Sequence, residues 1–425
     1  MRKILLLGLL IVSMLSACDK DDNEVAPGER PEERLNKVLS EYKSQLVNAE
    51  HGWKATLFPE GGAGYSFLFD FNENDRVVTR SDIDAGTTGD PLESTYRLKA
   101  AQNPSLLFDT YTYLHILADP DATKSGGDWG QGRYSDFEFS FDKVTPDSIV
   151  LTGNYNGSKL ILVKATADEA ANYISRISES AEAFESINNF DLYFKQLRVG
   201  SQSFDIKVNT DLRIITFTYE EGGSVKTFTT SYFYTPEGLT LLQPLVSESL
   251  TIRSLNALEF DAERSRIDLT VNGVAASIRE ASKPANVDPQ VASTFYNNPP
   301  NGAYWQTFYG FTAEGERDAF NVRAIENLEL ITLYIKASPP YDGFIFWTTD
   351  GGFFGPALRS RITSDGRIEF SYIGDFGTVP EQAAPAVKAT LDQLVIPEGY
   401  YVIRTSNNTY DLVSAKDGKT WISFQ

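Results

Sequence analysis

Two histidines and one cysteine are the scarcest reactive residues of this 425-residue chain, and they bound the chemistry it can perform. His51 and His115 stand far apart, in no HExxH and no metal-ligand spacing. Each reads as a loop or strand position whose ring is satisfied, and a zinc site built from Asp and Glu alone is unusual. The only cysteine, Cys18, has no second thiol with which to form an internal disulfide or a thiolate metal site. No GxSxG elbow, GxxxxGK[ST] loop or GxGxxG turn occurs. Neither a cofactor nor a metal is expected from this inventory, and no catalytic residue is assigned.

Oxygen ligands are more plentiful. DFNEND places Asp70, Asn72 and Asn74 at alternating positions, and DPDATKSGGDWGQGRYSD adds Asp119, Asp121, Asp128 and Asp136. Neither has the glycine that an EF-hand needs at its sixth position. A hairpin turn accounts for the first and a Gly-rich surface loop for the second, with calcium as the alternative reading of the longer loop. A glycosidase needs two carboxylates at a set separation in space, which 58 acidic residues cannot reveal from their order.

Aromatic residues concentrate at Tyr304, Trp305, Phe308, Tyr309 and Phe311, and again at Phe344, Phe346 and Trp347. On strands, alternate positions face opposite sides, so one set enters the core and the other can lie open as a stacking surface for sugars or porphyrins. Core packing is the usual fate of such rings. The candidate ligand-binding residues are Trp305, Tyr309 and Trp347, with Trp305 the first choice.

The elements that must position these residues are mostly strands. Pro31 opens a helical pattern through Leu35, Val38, Leu39, Tyr42 and Leu46. From Trp53 the period becomes two: YSFLFDF, a turn at NEND, RVVTRSD, RYSDFEFSF and SIVLTGNYNGSKLILVKA. Thr166 and Glu169 form a capping-box pattern ahead of the strongest helical periodicity in the chain. More strands follow to about Ala285, and Asp288 with Pro289 start another helix. The expected fold is mainly β, of the α+β class, with antiparallel sheets or sandwiches and a few packing helices. Residues 31–166 form a helix plus antiparallel β domain, 167–190 a connecting helix, 191–285 a β-rich domain and 286–425 a β-rich C-terminal domain. A helix followed by GxYWQTFYGF echoes the earlier helix followed by GWKATLF, a layout that a distant duplication would leave.

The N-terminus addresses the chain. MRK is followed by the uncharged LLLGLLIVSML, the pattern of an export signal, too short to remain as a membrane span. Leu15, Ser16, Ala17 and Cys18 resemble the lipobox of bacterial lipoproteins, in which the chain is cut before the cysteine and its thiol is acylated. Residues 1–17 are then a signal peptide and 18–30 an acidic tether; an ordinary cleaved signal with a chance cysteine is the rival reading. The DKDDNE that follows is similar to the tag that sends lipoproteins of Bacteroidetes-type bacteria to the outer face of the outer membrane. Periplasm-facing and inner-membrane placements remain alternatives. The net charge of −20, from 58 acidic against 38 basic residues, disfavours a nucleic-acid partner.

LSAC with its acidic tail, HGWKATLFPEGGAGYSFLFDFNENDRV, and the run from ESTYRLK through NPSLLFDTYTYLHILADP together resemble an uncharacterised family of Bacteroidetes lipoproteins, a domain of unknown function. The resemblance implies an accessory lipoprotein beside SusC/SusD-type TonB-dependent importers, anchored through lipid at Cys18 and helping to capture a nutrient that is not identified. A hydrolase of the same locus and a structural or adhesive surface protein are the alternatives. The family transfers no catalytic residue.

Overall fold

A computed structural model describes residues 31–100 and 103–425; Cys18 and the acids after it lie outside the described residues. Helix α1 (Pro31–Val47) leads into eight strands: β1 (Trp53–Phe58), β2 (Tyr65–Phe71), β3 (Arg76–Ser81), β4 (Leu92–Ala100), β5 (Pro104–Phe108), β6 (Glu138–Thr145), β7 (Ser148–Gly153) and β8 (Lys159–Lys164). All neighbours are antiparallel, and β8 returns to pair with β1, so the sheet closes as a barrel. The alternation expected from sequence is visible in β1, where Trp53, Ala55 and Leu57 are buried and their neighbours only half so. An eight-stranded barrel is just wide enough for side chains to fill. Here Trp53, Phe67, Phe69, Phe108 and Phe139 do so.

Helix α2 (Ala167–Glu185) begins with the predicted capping box, Thr166 and Glu169 each bonding the other's backbone amide. Its Ile177 and Phe184 enter a second core, while Ile174 meets Leu68 and Ala165 of the first unit. The second barrel follows: β9 (Phe194–Val199), β10 (Gln202–Asn209), β11 (Ile214–Glu221), β12 (Ser224–Thr235), β13 (Gly238–Val246), β14 (Thr251–Asp261), β15 (Arg266–Val271) and β16 (Val274–Ala281), closed by β16 on β9.

After helix α3 (Pro289–Asn297) comes a nine-stranded sheet, built from β17 (Tyr304–Thr307), β18 (Phe311–Ala313), β19 (Leu328–Ser338), β20 (Tyr341–Thr348), β21 (Phe353–Ile362), β22 (Arg367–Phe376), β23 (Tyr400–Arg404), β24 (Tyr410–Ser414) and β25 (Thr420–Phe424), with helix α4 (Ala384–Leu394) between β22 and β23. Reciprocal backbone bonds between Gln306 and Gln425 (3.1 and 2.9 Å) bring the end of β17 to the end of β25, so this sheet curls back on itself. The fold is therefore mainly antiparallel β, with closed and curled sheets rather than face-to-face sandwiches.

A shared device ties helix to sheet in the first and third units. The indole of Trp53 donates to the Leu46 carbonyl, and that of Trp305 to the Phe295 carbonyl, both at 2.9 Å. Both carbonyls lie in the last turn of the preceding helix, where no helical donor remains. Gly52, just before Trp53, has φ +71°, and a Cβ there would come within 2.5 Å of the Phe69 carbonyl oxygen. Only glycine tolerates both the backbone and that approach.

Candidate functional site

The two barrels meet through a buried guanidinium. Arg213, itself at φ +51°, donates through Nη1 to the Gly64 carbonyl (2.7 Å) and Asp82 Oδ2 (2.9 Å), and through Nη2 to the Asp82 carbonyl (2.6 Å). Its guanidinium lies over the rings of Tyr65 and Tyr234, 4.4 and 4.9 Å from their centroids. Burial pushes the Asp82 pKa up, and the facing Arg213 and the Ser66 amide oppose that rise.

The second barrel and the C-terminal sheet meet differently, around a cleft of about 880 Å³. On one side Tyr193 donates to Asp411 Oδ2 (2.6 Å) and packs on Trp421 (5.4 Å). On another, Asp205 of β10 draws the linker to the barrel by accepting from the amides of Ala285 and Asn286 (both 2.8 Å), Asn286 Nδ2 (3.0 Å) and Gln196 Nε2 (3.2 Å). Burial raises the Asp205 pKa and these four donors oppose that rise. Burial, reinforced by Asp411, pushes the Tyr193 hydroxyl well above its usual value, so it stays a donor. Burial also lowers the pKa of Lys195, whose Nζ donates to the Leu192 carbonyl.

The rim carries open rings and free cations. Phe308 and Tyr309 follow β17 and remain 55% and 41% exposed, in an edge-to-face pair at 4.7 Å. Arg323 lies over Phe308 at 4.4 Å and Arg317 near Tyr309 at 5.9 Å. Lys207 is exposed and lines the same cleft.

Of the residues selected from sequence, only Tyr309 lines this cleft. Trp305 is 2% exposed and stacks on Phe295 at 5.0 Å. The correction has a simple cause: along β17 the positions of Trp305 and Thr307 are buried, leaving the Trp305 ring no free face for a ligand. Trp347 is half-buried on β20, donates to Thr332 Oγ1 (2.9 Å) and packs on Phe353, away from the cleft. The three do not share a surface. Sequence reasoning missed Lys207, Arg317, Arg323 and Trp421, which no local pattern connects; Phe308, one of the aromatic run, was the available signal.

The Asp-rich segments are tied internally. Asn72 Oδ1 accepts from the amides of Asn74 and Arg76 (2.9 and 3.2 Å), which makes DFNEND a hairpin turn. Asp136 is buried and accepts from the amides of Tyr155, Asn156 and Ser158 and from Ser158 Oγ (2.6 Å). Asp121 caps a short turn and Asp128 accepts from the Tyr134 hydroxyl. No group of three His, Cys, Asp or Glu side chains among the described residues could hold a metal ion. His51 is beside Glu50 (3.9 Å), and His115 is stacked between Tyr111 and Phe137.

Residues 27–259 match the family model described as "Domain of unknown function (DUF4302)". The matched segment covers the first barrel and ends inside β14, so the C-terminal wall of the cleft lies beyond it. No curated protein matches. Among solved structures, an octameric penicillin-binding protein homologue from Pyrococcus abyssi is 8% identical with a TM-score of 0.16, over 35% of this chain and only 36% of that one. DNA polymerase III subunit beta from Borrelia burgdorferi is also 8% identical, over 92% and 97% of the two chains, with a TM-score of 0.14. Neither likeness carries an argument at such scores.

Proposed function

Because the chain belongs to the DUF4302 family, whose description names no activity, we propose its function from its own residues: a lipid-anchored binding protein that takes a ligand into the cleft between the second barrel and the C-terminal sheet. The observation that carries this reading is the open Phe308–Tyr309 pair on the rim of an 880 Å³ cleft. Ligand sites are concave, with aromatic walls and a few placed polar groups, and adjoining exposed rings at a concave mouth mark an interaction surface. In this reading the anchor is an acylated Cys18, the acidic tag would direct it to the outer face of the outer membrane, and the sequence resemblance supports an accessory role beside a SusC/SusD-type TonB-dependent importer in a Bacteroidetes-type cell.

A hydrolase reading needs a carboxylate free to act on a substrate. Within the cleft Asp205 is held by four donors and Asp411 by Tyr193, so binding is favoured over cleavage. The test is a thermal-shift screen of the full chain in detergent against glycans, haem and peptides. A ligand that raises the melting temperature of the parent but not of Tyr309→Ala supports the reading. A screen in which nothing shifts the parent defeats it.

A further inference from the structure

The chain carries 58 acidic and 38 basic residues, yet the unsatisfied charge at this cleft is positive. Lys207, Arg317 and Arg323 are exposed, and no carboxylate among the described residues pairs with them. The acidic side chains in the wall are the reverse: Asp205 already accepts four hydrogen bonds, and Asp411, 7% exposed, accepts from Tyr193. Lys195 is not one of these open charges: its Nζ donates to the Leu192 carbonyl, and Glu280 and Asp191 interact with it.

Three kinds of group thus converge. Phe308 and Tyr309 offer flat apolar rings of the sort that pack on the C–H face of a pyranose. Arg317 and Lys207 offer donors suited to carboxylate or sulfate oxygens, the guanidinium in bidentate fashion. Gln306 and Thr312 line the walls with an amide and a hydroxyl that can pair with sugar hydroxyls, while Asn188, Thr405 and Thr409, held by Thr210, by each other and by Ser406, add polar surface. A neutral sugar would use the rings and amides but leave the cations idle. A small inorganic anion would use the cations and leave the rings exposed.

We propose that the cleft binds an acidic oligosaccharide, a run of sugars bearing carboxylate or sulfate groups, with the rings of Phe308 and Tyr309 stacked on a sugar face and Arg317 and Lys207 on its anions. This rests on the binding reading above and names the ligand class. Arg323, over the Phe308 ring at 4.4 Å, holds that ring in place and adds to the positive field.

Calorimetric titration of the full chain in detergent with oligogalacturonate, with carrageenan oligosaccharides and with neutral galactan oligosaccharides tests it, the first two separating carboxylate from sulfate. The expected result is binding of at least one acidic probe, about tenfold or more tighter than the neutral one, weakening as salt rises. Lys207→Gln with Arg317→Gln, and separately Tyr309→Ala, should each weaken it by about tenfold or more with the melting temperature kept. The proposal is overturned if neither acidic probe binds, if the neutral probe binds as tightly, or if these variants bind like the parent. Neutral binding that Tyr309→Ala abolishes would remove the ligand class and keep the binding reading; silence of all three sugars together with the haem and peptide screen would remove both.

Discussion

Trp53 and Trp305 show how one side chain can set the seat of a whole sheet. Each is buried, at 0% and 2% exposure, and each gives its indole proton to a helix-end carbonyl. Replacing either with Phe keeps most of the apolar volume but leaves that carbonyl unpaired, so Trp53→Phe or Trp305→Phe should cost about 1–3 kcal/mol in denaturant unfolding. A loss indistinguishable from zero would show that water reaches the carbonyl. His115 makes a second residue-scale expectation. Burial lowers its pKa, and its Nδ1 accepts from the Thr112 amide at 3.1 Å, which a protonated ring could not do. The unfolded chain then binds a proton that the folded one refuses, so this contribution is full above the ordinary histidine pKa and is lost as pH falls below it. His115→Phe should flatten that part of the stability profile; an unchanged slope would assign it to other groups.

At the scale of elements, the junction between barrels rests on Arg213 at the β10–β11 turn and Asp82 just past β3. Their side chains are 6% and 1% exposed, and α2 packs on both barrels beside them. Lys54 of β1 and Glu169 of α2 add an ion pair there, though half-exposed pairs of this kind contribute little. Arg213→Met strands the Asp82 carboxylate, and the expected loss is about 3–5 kcal/mol. Arg213→Met combined with Asp82→Asn should recover part of it, because no buried charge is left alone. If the single and double variants unfold alike, the pair is not the cause. The predicted helix starts were legible at this scale: the Thr166 capping box and Asp288 with Pro289 both stand where local chemistry put them. Closure of the strands was not, since β1 pairs with β8 and β9 with β16 across long stretches of chain.

For the whole molecule, the three units repeat one plan, a helix leading into a closed or curled antiparallel sheet, and the cleft is a product of the last two. Among the described residues no helix is long and apolar enough to cross a membrane. The proposed anchor at Cys18 has a direct test: Cys18→Ser should move the protein from the membrane fraction to the soluble one, since several acyl chains hold stably where a short apolar run does not. Replacing Asp19, Asp21, Asp22 and Glu24 with neutral residues should leave it membrane-bound but sheltered from protease added to intact cells. Shaving at the parental rate would reduce those acids to a solvated tether. Melting with and without chelator should agree, because the Asp136 and Asn72 oxygens are already occupied by backbone donors.

What the sequence determined by itself was local: period-two burial in strands such as β1, the capped helix starts, the turn at DFNEND and the mainly antiparallel β class. These depend on neighbours a few residues away, so order along the chain carries them. Which ring of YWQTFYGF stays open was decided by the tertiary structure, because Trp305 faces inward only once β17 lies on β19 and α3 caps it, while Phe308 and Tyr309 escape by following the strand's end. The same holds for the meeting of Lys207, Arg317 and Trp421 around one cleft. Their proximity is a consequence of barrel closure and unit packing, long-range terms that no spacing along the chain encodes.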